Sequence, residues 1–176
     1  EGCTALECLL LDQAVAEAFL HHLAKHASEA DLTALTLRLD DKLAAALPDP
    51  LASAVTVEPL VAADLGREYL RATLAAVEVS DLVAAVSHIN RYGSRHTEGI
   101  VTEDRAVADE FCRRVDAAAV VVNGSVRLHD GPTLGLGSEL VISTGRLHVR
   151  GPVTLADLMS RGWRVDGNGA LRFRTN

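Results

Sequence analysis

Of the three cysteines in this 176-residue chain, Cys3 is the one placed to do chemistry. Apolar Leu6, Leu9, Leu10, Val15, Phe19 and Leu23, set among polar Glu7, Asp12, Glu17 and Lys25, predict one amphipathic helix over residues 4–29. Cys3 then stands at or just before its N-terminus. Unpaired backbone amides and the positive end of the helix dipole there favour thiolate, the nucleophilic form. The plainer reading makes Cys3 and Cys8 small buried residues with no reaction to perform.

A second concentration of polar groups follows a helical pattern. Val79, Leu82, Val83, Val86 and Ile89 repeat at helical spacing, and then Asn90, Arg91, Gly93, Ser94, His96, Thr97 and Glu98 crowd into one turn. No core requires that set, so the turn reads as part of a site. His22 and His26, four apart on one helical face, could share a metal, but no third ligand accompanies them and no metal site is assigned.

The elements that must position these groups alternate between strand and helix. Short strands are predicted at 35–39 and 55–57, with a helix at 41–47 that Pro48, Asp49 and Pro50 end. A buried strand at 74–79 leads into a helix at 80–91. The unit repeats: Ile100 and Val101 end a strand, a helix at 103–115 turns Val107, Phe111 and Val115 inward, and 117–122 forms a fully buried strand. Such alternation builds an α/β layered sheet. Beyond Asn123 frequent glycines replace regular periodicity, and residues 162–173 read as a β-hairpin around Asp166-Gly167-Asn168-Gly169, suited to pairing with another segment or chain.

Composition narrows the class. With 48% hydrophobic but only 3% aromatic residues, the core must be built mainly from Ala, Val and Leu. Seventeen Lys and Arg against 24 Asp and Glu give a net charge of −7, which argues against a nucleic-acid surface and points to small-molecule or protein partners. An odd cysteine count without a CxxC pair suits a reducing compartment. Charged residues interrupt every apolar run, and no signal peptide is read, so a cytoplasmic protein without a membrane partner is expected. The single methionine, Met159, is internal, and the chain is read as a piece of something longer.

Three stretches carry a resemblance to a known family. Residues 1–10, EGCTALECLL, resemble the active-site segment of gamma-glutamyl phosphate reductase, also called glutamate-5-semialdehyde dehydrogenase, of the aldehyde dehydrogenase superfamily. Thr4 stands where that family usually has Asn, and Gly2 where it usually has Val. Ala85, His88, Ile89, Tyr92, Gly93, Ser94, His96, Thr97, Glu98 and Ile100 follow the family's characteristic pattern nearly position for position. From Val122 to Pro152, the strings VNGSVR, DG, GLGSELVIST and LHVRGP resemble a third family stretch.

The resemblance implies a three-layer αβα aldehyde-dehydrogenase-like catalytic domain with a C-terminal oligomerisation β-hairpin. It implies residues 1–130 as the thiol domain and 131–176 as a substrate-loop and oligomerisation segment, with an NADP-binding domain upstream and outside this chain. Cys3 is the implied nucleophile. Ser125, Arg127, Glu139 and His96 are the implied substrate-binding residues, Arg127 offering a planar fork to carboxylate or phosphate, or else a structural ion pair. Glu68, in Arg67-Glu68-Tyr69-Leu70, is implied to hold the cofactor ribose, its alternative being an exposed helix residue; Arg71 replaces an acid expected nearby. The implied reaction is NADPH-dependent reduction of gamma-glutamyl 5-phosphate in proline biosynthesis, by a self-associating protein. Two other readings stay open: a catalytically silent assembly domain, and an acylating aldehyde dehydrogenase with another substrate. The isolated chain, lacking the implied nucleotide domain, is expected not to turn over.

Overall fold

The computed structural model describes residues 5–27, 32–137, 140 and 145–169. Its framework is two parallel sheets with helical connections. In chain order the main elements are β1 (Cys8–Asp12), α1 (Ala16–His26), β2 (Thr36–Leu39), α2 (Asp41–Ala45), α3 (Asp49–Ala54), β3 (Thr56–Pro59), β4 (Thr73–Val79), α4 (Leu82–Tyr92), β5 (Thr97–Ile100), α5 (Arg105–Arg114) and β6 (Ala119–Val122). The first sheet runs in the order β1-β4-β2-β3; the second pairs β5 with β6, Thr97 opposite Ala119 and Ile100 opposite Val122. The α/β class expected from alternation is the one found.

The start of the chain departs from the single helix expected over 4–29. Cys8–Asp12 is instead a strand whose residues lie opposite Ala75 to Val79 of β4. Three consecutive leucines cannot all share one stripe of a helix, but on an edge strand paired with β4 successive side chains alternate between the two faces of the sheet, Leu11 buried and Leu9 and Leu10 half-buried. The Asp12 side chain accepts a hydrogen bond from Ala14 N–H (2.8 Å), turning the chain into α1. That helix buries Ala16 and Leu20, while Val15 and Phe19, expected inside, are 54% and 37% exposed.

Other boundaries follow from capping. Asp40, Asp81 and Asp104 each accept a backbone N–H from the first turn of α2, α4 and α5 respectively. The break expected at Pro48-Asp49-Pro50 is found, α2 ending at Ala45, and Pro50 in addition occupies the first turn of α3, where its missing N–H costs nothing. β6, expected to be fully buried, is half-buried and ends on exposed Val122, its sheet having two strands among the described residues.

One core cluster gathers Leu11, Leu20, Leu37, Leu39, Leu43 and Leu51 around the four-stranded sheet. The second joins Val86, Phe111 and Val115 across α4 and α5. Small and aliphatic side chains do nearly all the filling, as the composition requires. Beyond Leu128 neither helix nor multi-residue strand occurs among the described residues. The hairpin expected at 162–173 lies partly outside them; Asn168 and Gly169, which are described, both have positive φ (45° and 83°), the backbone a two-residue hairpin turn demands. No helix among the described residues is long and apolar enough to cross a membrane.

Candidate functional site

Three segments far apart in the chain meet at the amino ends of β1 and β5. Cys8 opens β1 and Glu98 is the second residue of β5. Burial, and then the nearby Glu98 carboxylate, push the Cys8 thiol up to about 11, so this sulfur stays protonated at neutral pH. Glu98 is itself pushed up to about 7 by burial. Its carboxyl fills the space left by Gly93: a β-carbon there would lie 2.5 Å from Glu98 Oε1 and 2.7 Å from the Ile89 carbonyl oxygen.

Beside Glu98, the Thr97 hydroxyl contacts two imidazoles. Thr97 Oγ1 lies 2.8 Å from His96 Nδ1 and 2.6 Å from His129 Nδ1. The two rings approach to 4.8 Å between centroids, His96 half-buried and His129 only 5% exposed. His129 arrives there because the chain leaves β6 through Asn123, whose side chain bonds both Thr102 N–H (2.8 Å) and Thr102 C=O (2.9 Å). The chain then makes a single 3-10 turn, Val126–Leu128, that Ser125 caps through Arg127 N–H. Val126 packs against Gly99, whose missing side chain admits it.

A further tie secures the segment before β1. The Glu7 carboxylate accepts a hydrogen bond from Tyr69 N–H (2.9 Å), and the Glu7 carbonyl accepts one from Ala75 N–H (3.0 Å). The segment that follows Cys3 is thereby fastened to the loop carrying Glu68. The same loop rests on buried Asp64, whose oxygens take two bonds from Arg38 (3.0 and 2.9 Å) and one from Val61 N–H (2.9 Å). Burial opposes ionisation of Asp64, but the Val61 amide and the Arg38 guanidinium outweigh it and hold the carboxyl below its ordinary range.

No protein-family model matches the chain. Individual proteins do. Gamma-glutamyl phosphate reductase of Psychrobacter cryohalolentis is 42% identical over 170 residues, covering 97% of this chain and 39% of the relative. The protein of the same name from Magnetococcus marinus is 45% identical over 174 residues, covering 97% of this chain and 38% of the relative. The crystal structure of gamma-glutamyl phosphate reductase from Thermotoga maritima superposes with a TM-score of 0.80 at 33% identity, covering 98% of this chain and 39% of that one. This chain belongs to the gamma-glutamyl phosphate reductase family. It spans about two-fifths of the length of the relatives it matches. An acetylating aldehyde dehydrogenase from Geobacillus thermoglucosidasius, 19% identical with a TM-score of 0.59 over 93% of this chain and 44% of that one, shares the fold.

Against that family the expected site residues divide into three groups. Cys3 and Glu139 lie outside the described residues. His96 is brought to the meeting point, bonded to Thr97 as above. Ser125 and Arg127 sit on the 3-10 turn two to four residues before His129, and both are exposed. Glu68 is exposed on an irregular loop, not on a helix, and the next residue, Tyr69, donates its backbone N–H to the Glu7 carboxylate.

Of the residues at this meeting point, His129 carries no sequence signal of its own. Thr97 and Glu98 lay within the recognised pattern, and His129 stood unremarked between Arg127 and Asp130. Glu7 was read as the polar face of a helix that is not there. Among the described residues no cluster of His, Cys, Asp and Glu could hold a metal ion.

Proposed function

We propose that this chain carries the thiol and part of the substrate site of a gamma-glutamyl phosphate reductase, which converts gamma-glutamyl 5-phosphate to glutamate 5-semialdehyde and phosphate. The observation that supports this reading is that Cys8, the Thr97-Glu98 pair and His129 converge, Glu98 acting on Cys8 and Thr97 bonding His129, in a chain more than two-fifths identical to reductases of that name. Cys3, as thiolate, attacks the acyl carbon; the C–O bond to phosphate breaks, inorganic phosphate leaves with the bonding electrons, and a thioester remains on sulfur. Because acyl phosphate is already activated, the leaving group needs little protonation. After two-electron reduction the hemithioacetal collapses, releasing aldehyde and restoring the thiolate. Cys8, its thiol raised to about 11 by burial and by Glu98, is the less reactive nucleophile at neutral pH.

Arg127 and Ser125, exposed on one turn, bind the anionic ends of the substrate together with His96 and Glu139. NADPH, when bound, supplies the hydride. Of this chain's residues Glu68 suits its ribose, as an exposed carboxylate on a loop tied to the thiol segment. The division at residue 130 is supported by the loss of regular structure beyond Leu128, and the Asn168-Gly169 turn supports a hairpin through which copies of the protein self-associate in the cytoplasm. The test is phosphate- and NADP-dependent oxidation of glutamate semialdehyde by the complete gene product beside its Cys3→Ala variant. Activity present in the first and absent from the second is expected. Equal activity in both removes Cys3, and no activity in a folded protein removes the function.

A further inference from the structure

One hydroxyl serving two imidazoles restricts where protons can sit. Thr97 Oγ1 has a single hydrogen to donate, so it can give a hydrogen bond to only one of the two Nδ1 atoms, at 2.8 Å on His96 and 2.6 Å on His129. The other ring must then carry its proton on Nδ1 and donate to the hydroxyl. With both rings neutral and the hydroxyl hydrogen on one of them they are opposite tautomers; with Nδ1 protonated on both, the oxygen accepts twice and both Nε2 atoms present lone pairs, so the order of protons decides what each Nε2 presents. If His96 donates, its Nε2 is a lone pair that repels an anion. If only His129 donates, the Thr97 proton goes to His96 Nδ1 and His96 Nε2 carries N–H.

We propose that Thr97 and His129 are positioning residues: His129 Nδ1–H donates to Thr97 Oγ1, which donates to His96 Nδ1 and fixes His96 as the Nε2–H tautomer, a neutral hydrogen-bond donor to an oxygen of the anionic acyl phosphate. The inference rests on the reading of His96 as substrate-binding and adds the two residues through which it acts. Geometry favours a fixed pair. His129 is buried and His96 is half-buried, the rings stand 4.8 Å apart at an interplanar angle of 32°, and Ser94 Oγ accepts the His96 backbone N–H at 3.2 Å, which holds the turn that carries the ring.

The decisive measurement is the nitrogen-15 resonance pattern of selectively histidine-labelled complete gene product at pH 8, with His96→Gln and His129→Gln used for assignment. His96 should show a protonated Nε2 and an unprotonated Nδ1, and His129 a protonated Nδ1. A His96 protonated at Nδ1, or at both nitrogens, overturns the inference. A second arm reads binding. Thr97→Val should weaken inorganic phosphate, measured as its KM in the oxidative direction, by about 3- to 10-fold, as expected for one misdirected hydrogen bond, with a smaller change in kcat. Thr97→Ser, which keeps the hydroxyl, should restore the unmodified KM. An unchanged KM in Thr97→Val overturns the proposal. Absence of activity in the unmodified protein defeats the reductase reading instead, and the resonance arm still decides whether the tautomer is fixed.

Discussion

Gly66 lies directly against the backbone carbonyl of Tyr92. Its φ is +73°, and a β-carbon built on it would overlap the Tyr92 carbonyl oxygen. This contact joins the loop that carries Glu68 to the last residue of α4, immediately before Gly93 and the His96 turn. Gly66→Ala should therefore destabilise the protein by at least about 1–2 kcal/mol from the left-handed backbone alone, with the overlap adding to it. Chemical denaturation reads the change; an unaltered midpoint would mean that the loop moves away from α4 at no cost.

Glu98 supplies a pH test whose sign is set by burial. Its carboxyl is raised to about 7 in the fold, so the native state prefers the proton and the unfolded chain gives it up more readily. The protonated group's advantage is complete below the unfolded carboxyl range, near pH 4, and is lost as pH rises to 7 and beyond. Glu98→Gln, which cannot ionise, should melt higher than the unmodified protein at pH 8, and the gap should close toward pH 4. Melting curves across that range decide it; a gap that widens on acidification contradicts the assignment.

The two described thiols should react at different rates. Cys112 is exposed on α5, whereas Cys8 is half-buried and its thiol is raised to about 11. Alkylation with iodoacetamide at pH 7.5, followed by peptide mass mapping, should modify Cys112 well before Cys8. Equal labelling would show that β1 opens readily from β4.

Core and surface leucine-sized groups should separate cleanly. Leu43 is fully buried in the four-stranded sheet's cluster, and Leu43→Ala should cost about 2–5 kcal/mol. Val101 is 86% exposed, and Val101→Ala should stay within about 0.5 kcal/mol of neutral. Denaturant midpoints of the pair test the core directly, and a mild Leu43→Ala would place the core elsewhere.

Much of this protein was legible in the residues themselves. Alternating elements after residue 73 were readable because each carries its own local signal: valine-rich strand composition and the helical spacing of Val79 to Ile89 and of Val107, Phe111 and Val115. His96 and Arg127 could be named because they sit inside long patterns. What lay beyond local signal was misread at β1. A continuous leucine run is compatible with helix or strand until its partner is known, and only pairing with β4 selects the strand.

The site divides along the same line. Sequence alone determined which side chains are available: the thiols, the polar turn before β5, and the Ser125–Arg127 pair. Tertiary structure alone decided which of them act together. His129 reaches Thr97 because the chain turns back over Gly99 after β6, and Glu98 raises the Cys8 thiol because the fold brings β5 close to the start of β1. Proton placement and thiol reactivity depend on distance and burial, and neither is a property of spacing along the chain.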